Sequence, residues 1–110
     1  MTPDELRELC LSMPHAAETF PFNLETSVFK ISDNNKVFAL SALDAEPPCV
    51  SVKCDPEESL ALQAEYPQIT PGYHLNKKHW ITIVLEGVPD ELVDDLIRGS
   101  HELVRPKVRR

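Results

Sequence analysis

Apolar residues recur at helical spacing in three stretches of the chain and alternate with polar ones in others. Leu6, Leu9, Cys10 and Met13 make an i, i+3, i+4, i+7 stripe. It opens on Thr2-Pro3-Asp4-Glu5, a Thr-x-x-Glu capping box with proline at the first helical position, and Pro14 ends it. A second helix starts at Asp55-Pro56-Glu57-Glu58, with Asp as N-cap and Pro at N1, and stops near Tyr66-Pro67. Leu60, Ala61, Leu62 and Ala64 supply its apolar positions. A third begins at Pro89 or Asp90, turns Leu92, Val93, Leu96 and Ile97 inward, and runs through Leu103-Val104 before Pro106.

The strand signals lie between these helices. Thr26 to Ile31 and Lys36 to Ser41 are rich in β-branched and aromatic residues, and Asp33-Asn34-Asn35 joins them as a hairpin. Cys49 to Cys54 and Trp80 to Leu85 alternate cleanly, the latter ending in the turn Glu86-Gly87. His15 to Leu24 reads as a linker whose rings, Phe20 and Phe22, staple it to the core, and Ala42 to Pro48 reads as a loop. The order α-β-β-β-α-loop-β-α predicts an α+β fold, with an antiparallel sheet covered by helices on one face. If Phe29, Val52 and Ile83 face the helices, alternation puts Lys30, Ser51, Lys53, Thr82 and Trp80 together on the other face. Such a face is either an ordinary solvated surface or a binding surface.

Composition narrows the class. One domain spanning residues 1–110 is long enough for a core without disulfides or a structural metal, and Arg105 to Arg110 reads as a fraying basic tail. No apolar run approaches the roughly 18–20 residues of a membrane span, and the acidic N-terminus lacks a secretory h-region. The expected location is the cytoplasm. Three cysteines without a CxxC pair are expected to be reduced, small apolar residues, with Cys49 and Cys54 pointing to opposite faces. A net charge of −7 would repel a phosphate backbone, so any nucleic-acid contact needs a local positive patch. The charges are segregated: carboxylates crowd the predicted helices, whereas Lys30, Lys36, Lys53, Lys77 and Lys78 occupy strands and one loop.

The chemistry-bearing residues concentrate in Tyr66 to Trp80. His74 and His79 lack metal-site spacing, and no HExxH, nucleophile elbow or phosphate-binding glycine loop occurs. No metal, cofactor or catalytic constellation is expected. What the segment does hold is Lys77 and Lys78 for phosphates, Asn76 for a base edge or sugar, and Tyr73 and Trp80 for stacking.

The block Tyr66-Pro67-x-Ile69-x-Pro71-Gly72-Tyr73-His74-Leu75-Asn76-Lys77-Lys78-His79-Trp80 closely resembles the MmcQ/YjbR family of small bacterial proteins. Pro21-Phe22, Val28-Phe29-Lys30, Lys36-Val37-Phe38-Ala39, Lys53-Cys54-Asp55-Pro56 and Ser100 extend the resemblance nearly end to end, with Asn23 where the family usually has glycine. The resemblance implies an α+β fold similar to frataxin-like CyaY and to the double-wing domain of MotA, and it carries a DNA-binding label. Together these lead to the expectation of a non-enzymatic domain that binds double-stranded DNA weakly and with steep salt dependence. The candidate contacts are Lys30, Lys36, Lys53, Tyr73, His74, Asn76, Lys77, Lys78, His79 and Trp80. An anionic small molecule or an acidic protein partner at the same patch is the alternative.

Overall fold

A computed structural model describes residues 1–20, 26–42, 46–72, 76 and 78–106. The elements run α1 (Pro3–Ser12), β1 (Ala16–Thr19), β2 (Thr26–Ile31), β3 (Lys36–Ala42), β4 (Cys49–Lys53), α2 (Pro56–Glu65), β5 (Ile69–Pro71), β6 (Trp80–Val84) and α3 (Asp90–Val104). The strands form one antiparallel sheet in the order β1-β2-β3-β4-β6-β5. The helix starts follow their sequence signals. The Thr2 hydroxyl accepts from the Glu5 N–H and the Glu5 carboxylate accepts from the Thr2 N–H, completing the capping box. Asp55 caps α2, and α3 ends at Val104.

Both edge strands depart from the sequence reading. Ala16–Thr19 was expected in a linker, yet it pairs with β2 as an edge strand. Its Ala-Ala-Glu-Thr sequence has little β propensity, so the neighbouring strand rather than local preference creates it. Phe20 does not staple this segment to the core, being exposed, and Phe22 lies outside the described residues. Ile69–Pro71 forms the other edge rather than a loop, with Ile69 buried in the core. Its brevity and its terminal proline suit an edge position, where a missing N–H costs no ladder bond.

One core lies between the sheet and the helices. It joins Leu6 and Cys10 of α1, Leu62 of α2 and Val93, Leu96, Ile97 and Val104 of α3 to Phe29, Ile31, Phe38, Ala39, Val50, Val52, Ile69, Ile81 and Ile83. The apolar assignment on α2 needs correction: Leu60 is 70% exposed, Ala61 and Ala64 are exposed, and Ser59 is buried beside Leu62. Residues 60 and 62 lie about 200° apart around a helix, so they cannot share a face, whereas 59 and 62 can. The Ser59 hydroxyl is satisfied by the Gln63 amide at 2.9 Å.

A bulge in β3 sets the sheet's inner surface. Phe29 pairs with Ala39 and Lys30 with Val37, leaving Phe38 as the extra residue. Phe38 and Ala39 are both fully buried as a result. The Phe38 ring meets Phe29 at 6.5 Å and stands edge-on to His101 of α3 at 5.1 Å. The β3–β4 register stops at Ala39↔Val52, although one further step would set Phe38 opposite Lys53. Instead the Ser100 hydroxyl sits between them. It donates to the Phe38 carbonyl at 2.6 Å and accepts from the Lys53 N–H at 2.9 Å. A side chain of α3 thus completes the sheet where the bulge interrupts it.

Candidate functional site: the helix-free face of the sheet

Reading the registers across the sheet gives the composition of the face that the helices leave uncovered. On β1 to β3 one transverse row is Ala17, Lys30 and Val37, and on β4 and β6 Lys53 pairs with Trp80. The next is Thr19, Val28, Leu40, Ser51, Thr82 and Thr70. Beyond it lie Thr26, Ala42, Cys49 and Val84. Val28 is buried but takes no part in the helix-side core, and most of its neighbours are half-buried. The expected grouping of Lys30, Ser51, Lys53, Thr82 and Trp80 matches these rows. The face is less polar than alternation suggested, because Val28, Val37, Leu40 and Val84 share it.

Its charges are all of one sign. Lys53 and Trp80 are direct cross-strand partners, and the flanking bond from the Cys54 N–H to the His79 carbonyl makes theirs a non-hydrogen-bonded pair, where side chains approach most closely. Lys30 lies two strands away, about 10 Å across the sheet. The one acidic residue of the described strands, Glu18, faces the helices instead. There it accepts from the Arg7 guanidinium at 2.9 Å and from the Ser27 hydroxyl at 2.7 Å. This inward carboxylate also marks β1 as a protected edge.

Ion pairing divides the cations the same way. Each described arginine is paired: Arg7 with Glu18, Arg98 with Asp94 and Arg105 with Glu102. None of the described lysines, Lys30, Lys36, Lys53 and Lys78, forms an ion pair among the described residues. Lys36 does not join the row, since its cross-strand partner is Ile31, a core residue on the helix side.

The loop before β6 leads into the Lys53–Trp80 pair. The Asn76 side-chain oxygen accepts from the Lys78 N–H at 3.0 Å, and the Asn76 carbonyl accepts from the N–H groups of His79 and Trp80. Asn76 therefore shapes the turn that presents exposed Lys78 and half-buried His79. The Gly72 N–H donates to the Trp80 carbonyl and ties the loop's start to its end. Tyr73, His74 and Lys77 lie outside the described residues.

A model described as YjbR matches residues 11–103 of the chain. The chain belongs to the YjbR family. YbdF of Escherichia coli O157:H7 is 42% identical over 99 residues, covering 89% of this chain and 80% of that protein. YjbR of Escherichia coli strain K12 is 31% identical over 103 residues, covering 93% and 86%. Both relatives are uncharacterised proteins, so membership carries the fold and leaves function to the residues. A Deinococcus radiodurans protein with a DUF419 domain has a crystal structure similar to this one, with a TM-score of 0.88 and 48% identity over 94% of this chain and 78% of that one. A Pseudomonas syringae crystal structure superposes with a TM-score of 0.84 at 26% identity, covering 96% and 100%.

In this YjbR-family chain the thiols are poor nucleophiles. Burial pushes Cys10 up to about 12, with Glu18 adding to the shift, and pushes Cys54 up to about 11, with Glu58 and Asp55 adding. Burial also raises Cys49, and all three cysteines are free. No group of metal-ligating side chains occurs among the described residues, and no described helix is long and apolar enough to cross a membrane. Sequence reasoning missed the bracing pair Ser100 and His101, although both extend the inward stripe of α3 at helical spacing from Val93, Leu96 and Ile97.

Proposed function

We propose that this domain is a non-catalytic binding module that holds double-stranded DNA against the helix-free face of its sheet. Lys30 and Lys53 neutralise phosphates from the sheet, Lys77 and Lys78 do so from the loop, and His74, His79 and Asn76 add hydrogen-bond donors. Trp80, beside Lys53, offers an apolar surface for sugar or base, with Tyr73 as a second ring for stacking. The observation that carries the reading is the separation of cations. The described arginines are each paired with a carboxylate, whereas the lysines of the face are not, and no carboxylate of the described strands lies on that face.

With so few cations on a chain of net charge −7, the affinity is low and electrostatic. Lysines two strands apart, about 10 Å across an open sheet face, suit a backbone that passes over it better than a compact ligand, which needs a concave site. Fluorescence anisotropy of a labelled duplex at low salt tests the reading, with mononucleotides as competitors. Saturable binding that mononucleotides displace poorly supports a DNA surface. Absence of binding at low salt, or displacement by equimolar nucleotide, contradicts it.

A further inference from the structure

The cavity away from this face has a different chemistry. It holds about 500 Å³ where the α1–β1 turn, the β2–β3 hairpin and the C-terminal end of α3 meet, within the range of small-molecule sites. Buried Met13, Ile31 and His101 line its interior, and Pro14 and Pro106 contribute further apolar surface. Exposed His15, Asp33, Arg98, Glu102 and Arg105 line it as well. Two of the three described arginines and two of the three described histidines therefore converge on one cavity of an acidic protein.

The walls are tied together. His101 Nε2 lies 2.9 Å from the Pro14 carbonyl, which can only accept, so that nitrogen carries the proton. The Asn34 amide donates to the Val104 carbonyl at 2.8 Å, joining the hairpin to the end of α3. The Ser32 N–H donates to the His15 carbonyl at 2.8 Å. His15 itself has a φ of 59°, in the left-handed region that few residues with a β-carbon adopt, and its Nδ1 lies 3.3 Å from the Asp33 carboxylate. A strained backbone residue held by its surroundings at a cavity wall is a recurring property of binding sites.

The charge arrangement selects the ligand. Asp33 lies 3.3 Å from His15 Nδ1, and Glu102 is paired with Arg105. Each guanidinium has five N–H donors, and Arg98 and Arg105 each use one on a carboxylate of their own helix. Such exposed i, i+3 and i, i+4 pairs are weak and solvent-screened, so an incoming anion displaces or joins them at little cost. We infer that this cavity binds a small organic anion, with its carboxylate or phosphate on Arg98 and Arg105 and its apolar body against Met13, Pro14, Ile31 and Pro106. The site is separate from the sheet face and independent of any nucleic-acid binding there.

Titration of the ¹⁵N-labelled protein with benzoate and with phenyl phosphate, followed by amide shifts, tests the inference. Benzyl alcohol and inorganic phosphate serve as the uncharged and body-less controls. The expected result is saturable shifts at Ile31, Asp33, His101 and Glu102, with half-saturation near ~1 mM for at least one aromatic anion, the range of a fragment making one charged contact. Both controls should bind at least about ten-fold more weakly. Arg98→Ala with Arg105→Ala should weaken the aromatic anion about ten-fold while amide dispersion stays native, because both side chains are more than half exposed. Lys30→Ala with Lys53→Ala should leave it unchanged. No saturable shift for either aromatic anion, equal binding of a control, or indifference to the arginine substitutions overturns the inference.

Discussion

The two faces of the sheet are made from the same strands and treat charge in opposite ways. On the helix side, Glu18, Arg7 and Ser27 form a closed set, and Ser100 and His101 each satisfy backbone groups of other segments. On the helix-free side, Lys30 pairs with Val37 and Lys53 with Trp80, and no carboxylate of a described strand shares that face. Polar groups on the first side are needed to complete the fold. On the second, Ser51 and Thr82 bond to each other, whereas Lys30 and Lys53 form no ion pair among the described residues. The difference predicts that substitutions on one side will be read in stability and on the other in binding.

The largest expected loss is on the helix side. Phe38→Ala removes a fully buried ring that touches Phe29 and His101, and should cost about 3–5 kcal/mol in urea unfolding. Ser100→Ala strands the Lys53 N–H and the Phe38 carbonyl, and should cost about 2 kcal/mol. A value near zero for Ser100→Ala would show that the β3–β4 ladder closes without the hydroxyl, and would weaken the link between α3 and the position of Lys53.

A smaller, pH-dependent effect follows from the thiols. Cys10 and Cys54 are raised by burial from 9.0 to about 12 and about 11. The unfolded chain therefore releases these protons first as pH rises. Their contribution is intact below pH 9 and is lost between about 9 and 12, so the unfolding midpoint should fall over that window. At pH 8 iodoacetamide should modify half-buried Cys49 before either of the others. The smallest stability effects belong to the other side. Lys30→Ala, Lys53→Ala and, on the exposed face of α2, Leu60→Ala should each change stability by no more than about 0.5 kcal/mol.

How much of this was legible in the sequence differs between elements in a physical way. The capping box at Thr2–Glu5, the Asp55-Pro56 start and the alternation of Cys49–Lys53 and Trp80–Val84 are local signals, and the structure follows them. The edge strands Ala16–Thr19 and Ile69–Pro71 have no comparable local pattern and exist because a neighbour pairs with them. The bulge at Phe38 is likewise invisible to alternation, and it moves Val37 opposite Lys30 on the helix-free face. Of the candidate contacts, Lys30, Lys53 and Trp80 share that face, and Asn76, Lys78 and His79 belong to the turn before β6. Lys36 falls on the other side, because its partner is Ile31. The His15–Arg105 cavity was not foreseen, since its parts are scattered along the chain and meet only when α3 crosses the hairpin.

The salt dependence of duplex binding tests the central claim most directly. The logarithm of the association constant, plotted against the logarithm of salt concentration, should fall with a slope of about −3 to −4, as expected for roughly four lysine–phosphate contacts. Lys30→Ala with Lys53→Ala should reduce the steepness by about 2 without altering the unfolding midpoint. A slope that these substitutions leave unchanged, in a protein that still binds the duplex, would place the contacts elsewhere and contradict the account.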